Sequence, residues 1–307
     1  TIDGASVAYC RVDCGMIFLH ILEIVFPLIA VVSVGVWAGR RHQPEMEVAN
    51  QLNMGYFLPA LVLAVLVNGE FHISEYARLG LGTFLLIVGS GLVAMVAARL
   101  WGVKPKTIVP SMMFNNCGNL GLPLAVLAFG KAAMPAAVVM FLVSNMLHFS
   151  FGAWLLDHKA RLRDLWKVPV LVATVVGLGL NLAEVPVWPP LMTAIKMLGD
   201  VSIPLMMFAL GVRLAQMTLA EFHIGLLIAV LRPVSGIALA YTVGWSLNLT
   251  GIQHAQLIVF GALPPAVLNY MFAERYSQEP EKVASMVLIG NVAALVFIPL
   301  ALMFVLG

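Results

Sequence analysis

Three carboxamides crowd into five positions of an apolar stretch, within Asn115-Asn116-Cys117-Gly118-Asn119-Leu120-Gly121-Leu122-Pro123, and a fourth follows a proline pair in Gly261-Ala262-Leu263-Pro264-Pro265-Ala266-Val267-Leu268-Asn269-Tyr270. An amide offers both donors and an acceptor without a fixed charge. Asn115, Asn116, Asn119 and Asn269 therefore suit loose, reversible binding of an anion. Proline removes a backbone donor and clashes with the preceding turn, and glycine tolerates the dihedrals of an unwound stretch. Gly118, Gly121 and Pro123 predict that one helix splits in two, and Pro264-Pro265 predict the same of a second. Each new half-helix begins with unsatisfied N–H groups and a partial positive charge, which is a seat for a carboxylate.

Other polar residues fall inside apolar runs. Asn145 and His148 share a helical face at i and i+3; they line a cavity or carry a proton, or else make an interhelical hydrogen bond. Asp200 and Ser202 precede Pro204, with Asp200 either coupling protons or pairing with Lys196 one turn earlier. His20 and Glu23 are spaced to pair with each other. Arg232, before Pro233, either attracts an anion or extends its long side chain to the membrane boundary. Asn291 is a candidate partner of the breaks.

These residues sit in a chain of 307 residues that is 61% hydrophobic and only 10% charged, against roughly 25% charged in soluble domains. Its mean hydropathy is +0.98. Most of it belongs in a bilayer. A spanning helix needs about 20 apolar residues, which predicts ten segments at roughly 17–39, 48–67, 78–99, 107–129, 133–156, 168–183, 190–212, 222–246, 254–274 and 282–306. Basic residues gather in alternate links: Arg40 and Arg41; Arg99, Lys104 and Lys106; Lys159, Arg161, Arg163 and Lys167; Arg213; Arg275 and Lys282. The positive-inside rule makes those links cytoplasmic and places both termini outside.

Five segments on either side of the link 157–167 give an odd number per half, so the second half (168–307) must enter the membrane opposite to the first (16–156). That is an inverted repeat. Gly55 and Pro59 in segment two echo Gly199 and Pro204 in segment seven, and the Pro123 break echoes Pro264-Pro265. The expected fold is an all-α integral membrane protein with broken helices four and nine crossing near the midplane. Residues 1–15 are mixed and polar, and are expected to be an N-terminal extension or a remnant foreign to the fold.

Several functions are disfavoured. A net charge of +2 with dispersed basic residues gives no phosphate-tracking patch for nucleic acid. Cys10, Cys14 and Cys117 show no metal-ligand spacing. Cys10 and Cys14 either pair outside the cytoplasm or are incidental thiols. No phosphate-binding glycine loop occurs, and neither paired intramembrane aspartates nor an HExxH motif suggests an enzyme. No cofactor is expected.

The run Phe114 to Leu124 resembles the Asn-x-x-Asn-x-Gly-Leu-Pro signature of the auxin efflux carrier family. Gly199-Asp200-Val201-Ser202-Ile203-Pro204 with Phe208-Ala209-Leu210-Gly211, and Leu263-Pro264-Pro265-Ala266 with Asn269-Tyr270, are similar to that family as well. The resemblance covers nearly the whole chain from Met16. It implies two inverted five-helix repeats, as in the distantly related bile acid/sodium symporters. It further implies a scaffold of helices one, two, six and seven and a moving part of helices three to five and eight to ten. It carries substrate contact to Asn115, Asn116, Asn119, Asn145, Pro265 and Asn269; Gly118, Pro123 and Pro264 complete the expected site as the backbone of the breaks. Members move organic anions such as malonate, malate or indole acetate. The short middle link suits a bacterial member.

The expectation is a secondary transporter of a small organic carboxylate in the cytoplasmic membrane. It works by elevator-like alternating access and is coupled to protons, or to sodium. Asp200, His148 and Arg232 are the coupling candidates, and a scaffold-mediated homodimer is the expected assembly. A potential-driven uniporter, an anion channel and a non-transporting anion sensor are the alternatives. A channel requires a continuous polar path, whereas these breaks lie at one depth.

Overall fold

A computed structural model describes residues 14–67, 73–157, 168–217 and 219–307. The expected extension up to Asp13, with Cys10, and the basic link 158–167 lie outside the described residues.

The chain is a succession of helices. They are α1 (Cys14–Arg41), α2 (Glu47–Val67), α3 (Ile73–Trp101), α4a (Pro105–Met113), α4b (Cys117–Phe129), α5 (Lys131–Leu156), α6 (Pro169–Leu182), α7 (Pro189–Gln216), α8 (Phe222–Ser246), α9a (Gly251–Ala262), α9b (Val267–Arg275) and α10 (Pro280–Leu306). Seven of these are long and apolar enough to cross a membrane, namely α1, α2, α3, α5, α7, α8 and α10. The remaining expected segments are the two broken helices and the short α6. Among the described residues the extended contact is a single bridge between Asn115 and Pro265.

Prolines open α4a, α5, α6, α7 and α10 in the first turn, where the missing N–H has no partner to lose. Gly102, at φ +66°, closes α3, and Gly130, at φ +80°, closes α4b. Outward faces carry exposed Phe26, Leu92, Trp245, Val296 and Phe304, as lipid contact requires.

Two sets of helix contacts stand out, joined by one shared hydrophobic core. In one, α1 lies along α7, and α2 lies between α6 and α7. In the other, α3 packs on α4a, α5 and α8, while α10 packs on α8, α9a and α9b. The α1–α7 pair is the closest crossing of the first group. A Cβ on Gly35 or Gly211 would collide with the backbone of the facing helix, at Phe208 and Val32 respectively. Small residues permit such backbone approach where lipid offers no hydrophobic drive.

Three five-residue turns widen to π geometry: Asn53–Phe57, Cys117–Gly121 and His148–Gly152. Two are explained by proline. Pro59 and Pro123 each follow two residues after a wide turn, and the carbonyl each ring would strike, four residues back, lies inside that turn. The widening absorbs the clash.

Candidate functional site

Helix α4 does not break where its glycines and proline predict. Phe114 to Asn116 run extended, Cys117 to Gly121 form the wide turn, and Pro123 sits in the first turn of regular helix beyond it. The proline's cost is met by the wide turn, so the chain opens upstream of it. Helix α9 opens at Leu263 to Ala266, across Pro264-Pro265 as expected.

The two openings lie antiparallel against each other. Asn116 N donates to Pro264 O at 2.8 Å, and Ala266 N donates to Phe114 O at 3.0 Å. Side chains satisfy most of the remaining carbonyls. Asn115 Nδ2 donates to Phe260 O at 2.7 Å, Asn269 Nδ2 to Phe114 O at 2.9 Å, and Asn291 Nδ2 to Pro265 O at 3.2 Å and Val287 O at 2.8 Å. Asn116 Nδ2 donates to Asn291 Oδ1 at 3.0 Å. A backbone carbonyl can only accept, so these bonds fix which way Asn115, Asn269 and Asn291 face. Arg232 Nη1 donates to Leu263 O and, at 3.4 Å, to Gly261 O. Its buried charge therefore sits at the negative end of α9a, which accounts for a cation with no acidic partner among the described residues.

Beside this crossing lies a cavity of about 160 Å³. Residues 115–119 of α4, Asn145 and His148 of α5, and 266–268 of α9 form one wall; Asn50, Asn53 and Met54 of α2 and Met206, Ala209 and Arg213 of α7 form the other. All three wide turns contribute to the lining, through Asn53, Cys117 and His148. The first residues of α4b and α9b edge the space, so two helix N-termini present their free N–H groups there.

His148 is held by aromatic contacts. Its ring stacks on Phe114 at 4.1 Å and meets Phe272 edge-on at 5.0 Å. A Cβ on Gly152 would come within 2.8 Å of the Phe114 ring, so glycine makes room for the stack. His148 Nε2 and Asn269 Oδ1 are buried without a partner that meets hydrogen-bond geometry, although the two side chains are close enough to interact.

Of the expected site residues, Asn115, Asn116, Gly118, Asn119, Asn145 and His148 line the cavity. The amide donors of Asn115 and Asn116 are already committed to the crossing, and Asn145 Nδ2 donates to Phe141 O at 2.8 Å. Asn119, half-buried, has no side-chain hydrogen bond among the described residues. Pro123, Pro264, Pro265 and Asn269 do not border the cavity; the prolines open the backbone, and Asn269 faces Phe114 O behind the wall. Arg232 is likewise off the lining.

Asp200 is exposed and away from the cavity. Neighbouring Gly199 is buried against the α2 backbone at Leu61, and one residue of helix turns Asp200 about 100° off that face. The Asp200–Lys196 ion pair does not form. Ser202 donates to Asn53 Oδ1 at 2.8 Å instead and ties α7 to α2. His20 Nδ1 and Glu23 Oε2 approach to 3.6 Å, both exposed.

Sequence reading passed over Asn50, Asn53, Ser144 and Arg213. Asn50 and Asn53 carry the same signal that marked Asn145 and His148, polar groups at i and i+3 in an apolar run. Ser144 and Arg213 carry no such signal, since a serine is common in any helix and an arginine ends many.

The cavity opens on one side. Asn50, Met54, Ala209, Arg213 and Met271 also border a vestibule of about 860 Å³ flanked by 43–47, Pro169 and Gln216. Across the break, Cys117, Phe260, Leu263 and Gln256 enclose a space of only about 20 Å³.

A family model described as membrane transport protein matches residues 154–302. An uncharacterized transporter of Methanocaldococcus jannaschii is 21% identical over 303 residues, covering 91% of this chain and 97% of the relative. A Rhizobium meliloti protein whose name assigns it, provisionally, to malonate transport is 24% identical over 296 residues, covering 88% of this chain and 91% of its own. The family model matches the second half of the chain and the two relatives span nearly all of it, which together support membership of this family of membrane transport proteins. It is the auxin efflux carrier family that the α4 motif resembles. This match and the seven membrane-capable helices indicate a multi-pass helical membrane protein.

Outside the spans, a polar cluster holds the start of α4a against the start of α10. Thr107 Oγ1 donates to Glu279 Oε2 at 2.5 Å, Lys282 Nζ lies 2.8 Å from Glu279 Oε1, and Lys104 Nζ lies 3.6 Å from it. The Lys282 bond, then that of Thr107, holds the Glu279 carboxyl below its ordinary value of 4.5. A depressed carboxyl stabilises the fold above the unfolded value and loses that effect as pH falls through the folded one. Glu279→Gln should therefore melt below wild type at neutral pH, with the gap closing below about pH 4.5. Thermal melts of both proteins across pH check this.

Proposed function

We propose that the protein is a secondary transporter of a small organic carboxylate working by alternating access. The observation that carries this reading is the one-sided cavity between two helix groups, edged by the N-termini of α4b and α9b. A carboxylate docks at those ends beside Asn119. The substrate class follows from this chemistry and from the malonate named for the Rhizobium meliloti relative.

In this reading α1, α2, α6 and α7 form the scaffold, and α3–α5 with α8–α10 carry the substrate. Ten crossings form two inverted repeats of five. Packing supports the symmetry: exchanging each helix for its counterpart five places on turns the α1–α7 pair into α6–α2, α3–α4a into α8–α9a, and α3–α5 into α8–α10, all of which are in contact. The basic links lie in the cytoplasm of a cell bounded by its cytoplasmic membrane, and both termini lie outside. The vestibule, beside the α1–α2 link, then faces inward. Binding drives the change of state only through a difference in affinity between the two states.

Protein reconstituted into vesicles loaded with unlabelled malonate should accumulate labelled malonate in saturable counterflow. Asn119→Ala should lose about tenfold or more of that rate while melting like wild type. Unsaturable current, or wild-type counterflow by the variant, would contradict the site. Proton coupling is assigned to His148, the coupling candidate that lines the cavity. His148→Gln should flatten the pH dependence of uptake; an unchanged profile removes the role.

A further inference from the structure

The cavity contains one ionised side chain, and it is not one that the expected site includes. Arg213, in the last turn of α7, borders both the cavity and the vestibule. A basic residue at a helix end ordinarily reaches along the lipid face to the membrane boundary. Arg213 instead lines the interior space, half-buried.

Among the described residues its charge has no counter-charge. The contact it makes is Nη2 to Met271 Sδ at 3.9 Å, and among the described residues no carboxylate comes within ion-pair distance of it. Glu45 and Glu47 border the vestibule without pairing with it. Glu274, near Tyr270, already accepts from the Tyr270 hydroxyl at 2.5 Å. A guanidinium presents a planar fork of donors that matches a carboxylate in bidentate fashion.

The cavity thus has two unlike ends. At the crossing, the half-helix N-termini and the free amide of Asn119 offer a neutral cradle, next to the buried, unpartnered Nε2 of His148. At the mouth, Arg213 offers a full positive charge. A monocarboxylate engages one end and leaves the other unanswered. We propose that the site is built for a short dicarboxylate, with Arg213 reading the second carboxylate. Because Arg213 belongs to the α1–α2–α6–α7 group and the cradle to the other, the dicarboxylate bridges the two, and the Arg213 contact exists only in the state that faces the vestibule. This rests on the carboxylate-carrier reading above.

The test compares two ligands of equal carbon number, malonate and propionate, titrated calorimetrically into purified protein. Wild type should bind malonate at least about tenfold more tightly than propionate. Arg213→Gln should weaken malonate about tenfold or more and leave propionate unchanged, and Arg213→Lys should retain part of the preference. Asn119→Ala should weaken both ligands. Equal loss of both ligands in Arg213→Gln, or no loss of malonate, overturns the assignment. Should that variant not melt cooperatively, wild type decides: equal affinity for the two ligands removes the role of Arg213 and leaves the carboxylate site standing. Wild type that binds neither ligand removes both.

Discussion

A backbone that uncoils within a membrane-spanning region must find partners for the groups it frees. An unsatisfied polar group there costs several kcal/mol. Here two uncoiled stretches answer each other: Phe114 to Asn116 and Leu263 to Ala266 exchange backbone hydrogen bonds. Asn115, Asn291 and Arg232 satisfy carbonyls that the exchange leaves over, and Asn269 gives Phe114 O a second donor. Losing such a partner at a buried carbonyl costs about 1–3 kcal/mol. The amides are therefore first the mortar of the crossing, and of the three in the α4 motif Asn119 is the one left without a side-chain bond among the described residues.

That division of labour shapes the chemistry. With the side-chain donors of Asn115 and Asn116 consumed, the proposed attraction for an anion falls to the free N–H groups at the starts of α4b and α9b. In that proposal, partial charges hold a carboxylate without trapping it. The single full charge is displaced to the mouth and to the opposite helix group, so the strength of binding depends on how the groups are aligned. The wide turns serve the same end. Each one begins at a residue of the cavity wall, Asn53, Cys117 or His148.

Much of the fold was legible because proline, glycine and hydropathy act locally. The seven long helices and the α9 break followed from single residues and run lengths. The α4 break was misplaced by several residues because the wide turn, a cooperative response of five residues, absorbs the strain of Pro123 and shifts the opening upstream. The site was legible as a neighbourhood but not as a list of contacts. Whether an asparagine faces a guest or a carbonyl is decided across the crossing, by Phe260 for Asn115 and by Phe114 for Asn269, partners about 150 residues away. Asp200 misled for a similar reason, since the α2 backbone packed on Gly199 turns it outward.

The central claim is that the crossing travels between the two faces of the membrane with its guest. The direct measurement replaces the cavity-lining Ser144 by a single cysteine, with Cys10, Cys14 and Cys117 replaced by serine, in sealed vesicles of each orientation. A membrane-impermeant thiol reagent is applied from outside. The account predicts labelling in both orientations, slowed in both by malonate. Labelling confined to one orientation, or labelling indifferent to carboxylate, would contradict it.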